Sequence, residues 1–295
     1  MFENILGNDN VKQELIKTIK LNKLSHSYLF IGTDGIGKKM IAKEFAKMIL
    51  CIENEKYCNR CKSCIEFDTD NNPDFISIEP DGANIKIEQI RQMQKKILEA
   101  PIISQKKVYI IDNADLMTRE AQNCILKTLE EPPEYVTIIL IGSKEDNFLS
   151  TIKSRCSIIK FQNIPNVQIK QYMKKTYDID VSENILQLCL GSIGKAEKYK
   201  DKQELYDNIF QIINNVEKMD MIDFLKKANL IYQSQDEKND ILDSINIILF
   251  NKSKQNIKYL NCIDYVEETK KRLSLYTNYN MCIDNMLFRI WEEMN

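Results

Sequence analysis

The segment Gly32-Thr33-Asp34-Gly35-Ile36-Gly37-Lys38-Lys39 constrains the fold of this chain more than any other stretch. It has the spacing G-x-x-x-x-G-K. It follows directly on an apolar run of strand length, Tyr28-Leu29-Phe30-Ile31, and precedes a helical pattern from Met40 to Leu50. Glycines let the backbone curl so that its N–H groups and the helix N-terminus face an anion. Lys38 is placed to reach the terminal phosphates of a nucleotide such as ATP or ADP. A chance glycine turn has no need of a strand before it and a helix after it, so the context favours a phosphate loop in a parallel α/β sheet.

The last position of the loop departs from the pattern. A Ser or Thr hydroxyl there would ligate Mg²⁺, but an ammonium such as that of Lys39 carries only donors and repels a cation. Nucleotide binding can survive this change, with the lysine partly replacing the metal's charge; Mg²⁺-dependent hydrolysis is not expected. A second departure is independent of the first. The strand Val108 to Ile111 runs into Asp112-Asn113-Ala114-Asp115. Asp112 is placed to face a metal, but its neighbour Asn113 cannot take a proton from water as a carboxylate would. Gly32, Gly35, Gly37, Lys38, Lys39 and Asp112 therefore form a degenerate nucleotide site.

Further strand-length runs, Phe75-Ile76-Ser77-Ile78 and Val136-Thr137-Ile138-Ile139-Leu140-Ile141, alternate with helical patterns over the first 160 or so residues. One helical pattern carries Ile87, Ile90 and Ile97. Another carries Ala121, Cys124, Ile125 and Leu129, opened by Thr118 as N-cap and closed by Pro132-Pro133. All eight glycines and all six prolines lie at or before Gly194. The remainder has neither, which predicts long helices. Ile241, Ile245, Ile248 and Leu249 share a helical face there, as do Ile283, Met286, Leu287 and Ile290. The expected division is an α/β domain over residues 1–163, a small helical domain over 164–205, and an all-helical domain over 206–295.

Four of nine cysteines, Cys51, Cys58, Cys61 and Cys64, fall within one short stretch. Two-residue spacings let thiolates converge on one tetrahedral ion, which suits structural Zn²⁺. Lys56, Arg60 and Lys62 lie around it to offset the thiolate charge. An iron–sulfur cluster would use the same ligands, though no redox cofactor site accompanies them. Clustered cysteines of this kind point to a reducing, intracellular setting. No apolar run approaches the ~20 residues of a membrane span, and Met1-Phe2-Glu3-Asn4 opens no secretory signal pattern. A net charge of −2 gives no global basic field for nucleic acid.

The order of phosphate loop, four-cysteine module and acidic strand end continues with Asn123-Cys124-Ile125-Leu126-Lys127-Thr128-Leu129-Glu130-Glu131-Pro132-Pro133 and Ser154-Arg155-Cys156. With the lead-in Leu24-Ser25-His26-Ser27-Tyr28-Leu29-Phe30, it resembles the AAA+ clamp-loader subunits of bacterial DNA polymerase III. The resemblance covers about residues 1–160; the rest agrees only in being helical. Lys39 and Asn113 depart from the motor type, gamma/tau, and point to the delta prime branch. The resemblance implies an AAA+ fold with a helical lid and an all-α collar. It implies a cytoplasmic complex with gamma/tau and delta that places the beta sliding clamp around primed DNA. In that complex this chain would be a non-catalytic part of a DNA-directed DNA polymerase. It also implies that Arg155 acts in trans, as an arginine finger on a neighbouring subunit's nucleotide, against the local alternative of an ion pair with Asp146. In the family a residue of the second domain approaches the nucleotide; Gly191-Ser192-Ile193-Gly194-Lys195 occupies the corresponding stretch, with Lys195 a weak counterpart to the usual arginine. The only histidine, His26, would pack near the base or cap the following strand. Two other readings stay open on these residues: an active ATPase of gamma/tau type, and a zinc-dependent nucleic-acid-binding module.

Overall fold

The computed structural model describes residues 2, 5–53, 57–275 and 277–295. The expectations that touch Met1, Glu3, Asn4 and Lys56 lie outside the described residues. The chain divides into two compact units: Met1–Gln168 with Ser192–Gly194, and Ile169–Gly191 with Lys195–Asn295.

In the first unit strand and helix alternate, in chain order α1 (Asp9–Lys20), β1 (Ser27–Ile31), α2 (Lys38–Leu50), α3 (Lys62–Asp68), β2 (Phe75–Ile78), α4 (Ile87–Ile97) and β3 (Lys107–Ile111). There follow α5 (Arg119–Glu130), β4 (Val136–Gly142), α6 (Ser150–Lys153) and β5 (Ser157–Lys160). The strands form one parallel sheet of order β2-β3-β4-β1-β5. β1, β3 and β4 are buried along their whole length, which is why they read as unbroken apolar runs rather than alternating ones. Successive residues feed opposite faces of the sheet. Tyr28, Phe30, Val108, Ile110, Ile139 and Ile141 pack with Ile41, Phe45 and Leu15 of α1 and α2. Leu29, Tyr109, Ile111, Ile138 and Leu140 pack with Ile90, Met93, Ala121 and Ile125 of α4 and α5.

Local signals act where the sequence places them. The Thr118 hydroxyl accepts from the Ala121 amide and caps α5. α5 ends at Glu130, ahead of Pro132-Pro133.

The second unit contains α7 (Asn166–Tyr177, from Ile169 on), α8 (Glu183–Cys189) and α9 (Ile193–Tyr199, from Lys195 on). It continues through α10 (Gln203–Asn214), α11 (Met221–Lys227), α12 (Asn229–Gln233), α13 (Lys238–Ser253), α14 (Lys258–Ser274) and α15 (Tyr279–Met294). Ile241, Ile245, Ile248 and Leu249 of α13, and Ile283, Met286, Leu287 and Ile290 of α15, are all buried, so both stripes face the core. Polar tips are tied down: Tyr279 Oη donates to the Ile231 carbonyl at 2.8 Å, and Trp291 Nε1 to the Met219 carbonyl at 2.9 Å. No helix among the described residues is long and apolar enough to cross a membrane.

Candidate functional site

The parallel sheet brings the carboxyl ends of β1, β2 and β3 to one edge, where the connections of an α/β sheet build binding sites. The loop after β1 turns through Gly35 (φ +75°) and Gly37 (φ +93°), conformations that favour glycine, and Gly37 leads straight into α2. α2 thus begins at Lys38, two residues before the helical pattern at Met40. The Lys38 side chain is buried and folds back over the loop. Its Nζ donates to the carbonyls of Gly32 and Thr33 (2.9 Å to the latter) and pairs with Asp34 Oδ1 at 3.3 Å. Burial pulls its pKa below the ordinary lysine value, against the pull of Asp34. A lysine amine held inside a glycine loop at the head of a helix fits a nucleotide phosphate, and Lys38 with the loop backbone would hold it.

A turn from later in the chain buttresses this loop. Gly194 N donates to Gly35 O at 2.9 Å, and a Cβ on Gly35 would lie 2.4 Å from Ser192 Oγ. Lys195, the weaker candidate from the same motif, belongs to the other unit.

Lys39 leaves the loop in a different direction. Its Nζ lies 2.9 Å from Asp112 Oδ2 and 2.6 Å from Glu79 Oε1. Glu79 follows β2 directly and Asp112 follows β3 directly, so adjacent parallel strands deliver both carboxylates to one point. Burial opposes the charge on Lys39, but these two partners outweigh it and its pKa is raised. The other oxygen of Asp112 accepts from the Asn113 amide at 3.0 Å. Both Asp112 oxygens are therefore engaged, one by a cation that is part of the chain. A dication about 4 Å from that ammonium would meet a repulsion of several kcal/mol at the dielectric of a protein surface. The residues present do not fit Mg²⁺.

Asp115 performs another task. Its Oδ2 accepts from Ser143 Oγ (2.8 Å) and from the Ser143 and Lys144 amides, tying the end of β4 to the turn after β3. Sequence reasoning singled out neither Glu79 nor Ser143. An acid immediately after the β2 run was the available sign for Glu79.

Arg155 lies between α6 and β5, partly exposed. Its guanidinium donates to the Thr151 carbonyl at 2.9 Å and pairs with Glu130 at the end of α5. The local ion pair that sequence reasoning weighed against Asp146 is therefore made with Glu130 instead. His26 is exposed at the opposite end of β1 from the phosphate loop, so it does not face the nucleotide position. Its backbone carbonyl accepts from the Ile138 amide and continues the sheet pairing.

The four cysteines converge between α2 and β2, with their ligand atoms all within 4.8 Å of one another. A tetrahedron of sulfurs at Zn–S distances has edges of about 3.8 Å, so the set closes on an ion with little movement. Cys61 N donates to Cys58 Sγ (3.2 Å) and Cys64 N to Cys61 Sγ (3.4 Å). Burial works against ionisation of Cys61, but the Ile52 and Cys64 amides and neighbouring thiols bring it down to about 7. Burial, with its thiol neighbours, pushes Cys64 up to about 12. Four thiols this close cannot all ionise without a cation among them, so the donor set fits a metal ion. Of the basic residues expected to offset the cluster, Arg60 pairs with Glu53 at 2.8 Å and Lys62 approaches Glu66 at 3.8 Å. One side chain that ties the module to the fold is Lys47 of α2. It is buried, reaches Asp68 Oδ1 at 2.6 Å and Asn59 Oδ1 at 2.7 Å, and lies over the Tyr57 ring.

Bacillus subtilis DNA polymerase III subunit delta prime is 33% identical over 207 residues, covering 69% of this chain and 62% of that protein. The tau/gamma subunit of Haemophilus influenzae is 32% identical over 226 residues, covering 73% of this chain and 32% of that protein. The chain thus spans less than two thirds of the length of these relatives. A crystal structure of a DNA polymerase III gamma subunit-related protein from Thermotoga maritima superimposes with a TM-score of 0.53 at 18% identity. It covers 97% of this chain and 99% of that one, so the overall fold is shared. Residues 7–165, more than half of the chain, match the family described as DNA polymerase III, delta subunit, and the chain belongs to that family.

Proposed function

We propose that this chain works as a delta-prime-type subunit of a bacterial clamp loader. It would assemble with gamma/tau and delta subunits in the cytoplasm to place a beta sliding clamp around primed DNA, contributing structure and one arginine rather than ATP turnover of its own. The observation that carries this reading is the Lys39–Asp112 ion pair beside Asn113: the sheet edge and phosphate loop of a nucleotide-binding fold are present, while the groups that would hold Mg²⁺ and prime water are replaced. The four cysteines would hold a structural Zn²⁺, since a closed four-sulfur set offers no open position for chemistry. Residues 164–205 would serve as the lid and 206–295 as the collar through which subunits associate.

Arg155 is the group proposed to act on chemistry, across an interface. A guanidinium brought to a neighbour's γ-phosphate stabilises charge that develops on transfer, an effect worth about 10³–10⁵ in rate in other phosphoryl-transfer systems. Release from Glu130 would free it for that contact. The test combines this chain with the matching gamma/tau and delta subunits, clamp and primed DNA, and compares ATP turnover with that of Arg155→Ala. A fall of about tenfold or more at the affected site is expected; equal turnover would remove the finger assignment. The active gamma/tau-type alternative requires the purified chain alone to hydrolyse ATP with Mg²⁺.

A further inference from the structure

The fit of a phosphate to Lys38 and the misfit of Mg²⁺ at Lys39 concern the same site, and together they specify its ligand. We propose that this site takes a nucleoside polyphosphate without a divalent cation, with the Lys39 ammonium as a tethered substitute for the metal. The proposal rests on reading the glycine loop as a nucleotide site.

The geometry for this is specific. The residue after the loop lysine and the acid at the end of β3 are the two protein positions that face the metal in phosphate-loop sites. Here they face each other directly, Lys39 Nζ to Asp112 Oδ2 at 2.9 Å, so the positive charge that an ion would bring between them is already there. Glu79 holds the same nitrogen from the neighbouring strand end at 2.6 Å. An ammonium has three donors. Asp112 and Glu79 take two, which leaves one for a phosphate oxygen. Asp112 is also drawn back to its own loop, because Oδ1 accepts the Asn113 amide, and the ammonium beside Oδ2 repels a second cation. Lys38, whose three donors rest on the Gly32 and Thr33 carbonyls and on Asp34, would turn from them to supply the second cation. Two lysines at adjacent positions thus stand where one lysine and a metal usually do. A fixed cation binds phosphate charge but cannot exchange, recruit water or leave with product. The expected role of the ligand is accordingly structural, closing the loop region rather than being consumed.

The experiment measures binding of a fluorescent ATP analogue to the purified full chain, in buffer freed of divalent ions by chelating resin and in the same buffer with MgCl₂. Resin-treated buffer leaves the cysteine centre intact, and metal analysis of the sample checks that it has. The two affinities should agree within about threefold, and Lys39→Met should weaken binding by about tenfold or more in both buffers. Lys39→Thr, which restores a hydroxyl, should make binding depend on MgCl₂ by about tenfold. Wild-type binding that tightens about tenfold on adding MgCl₂, or one Mn²⁺ held by the wild-type nucleotide complex in electron spin resonance, overturns the proposal. So does full affinity in Lys39→Met. The wild-type comparison stands without any variant, should one misfold. No binding in either buffer also overturns it, and leaves the proposed role in assembly to be judged separately by the reconstitution with Arg155→Ala.

Discussion

Replacing Asp74 should loosen the first unit and its cysteine module together. Asp74 lies just ahead of β2 and is fully buried. Its two oxygens accept from three successive amides, Ile102 at 2.7 Å, Ile103 at 2.8 Å and Ser104 at 2.7 Å. Ser104 then uses its hydroxyl on the Leu50 carbonyl and on Ser63 Oγ, and Asn72 donates to Ser63 as well. This polar cluster joins the end of α2, the start of α3 and the segment before β3. In Asp74→Ala the three amides lose their acceptor. Ile102 is exposed and its amide regains water, whereas Ile103 and Ser104 are half-buried. Each orphaned buried donor costs about 1–3 kcal/mol, so the variant should lose about 4 kcal/mol. Asp74→Asn keeps one acceptor oxygen and should lose about half of that. The assay is urea unfolding followed by circular dichroism. Trp291, the chain's single tryptophan, lies in the second unit, so its emission identifies that unit's transition and the remaining signal reports the first. Native-state hydrogen exchange at Ile103 and Ser104 should accelerate in parallel. A loss below about 1 kcal/mol in Asp74→Ala, with unchanged exchange at those amides, would refute this account of the network.

Two further outcomes follow from features already described. Gly35→Ala places a Cβ 2.4 Å from Ser192 Oγ at a backbone φ of +75°; it should cost about 2 kcal/mol, read as a drop of about 5 °C in melting of the first unit. Cys61→Ser should abolish the roughly one equivalent of zinc expected in the purified wild-type chain by elemental analysis, and expose the α3 segment to protease. Iron, or no metal, in the wild type would remove the zinc assignment.

Much of the first unit was legible because its information is local. Fully buried strands must be apolar on both faces, so β1, β3 and β4 appear as unbroken runs. The phosphate loop, the Thr118 cap and the cysteine spacing are likewise written within a few residues of chain. What stayed hidden depends on folding at a distance. Asp74 is one aspartate among many until the segment 102–104 is laid beside it. Lys47 looks like a solvent-facing helical lysine until the module carrying Asp68 and Asn59 returns to cover it. Glu79 gains its meaning only when β2 and β3 are placed side by side. Ser192 and Gly194 reach the phosphate loop through a turn that no periodicity announces; only the family resemblance pointed to their stretch. The ion pair of Arg155 depends on the same kind of contact, since Glu130 comes to it only through the packing of α5.

α2 starts at the glycine loop and its C-cap is Cys51, the first of the four thiols. It is a single rod of about 20 Å, with the glycine loop at its head and the four-thiol cluster at its foot. A rod fixed at both ends can neither slide along its axis nor roll. The loop amides are thus linked to the sulfur chemistry by one rigid helix of between about three and four turns. In an oxidising environment, where the thiols would be drawn into disulfides, the foot of the helix would be released while every residue of the glycine loop stayed untouched.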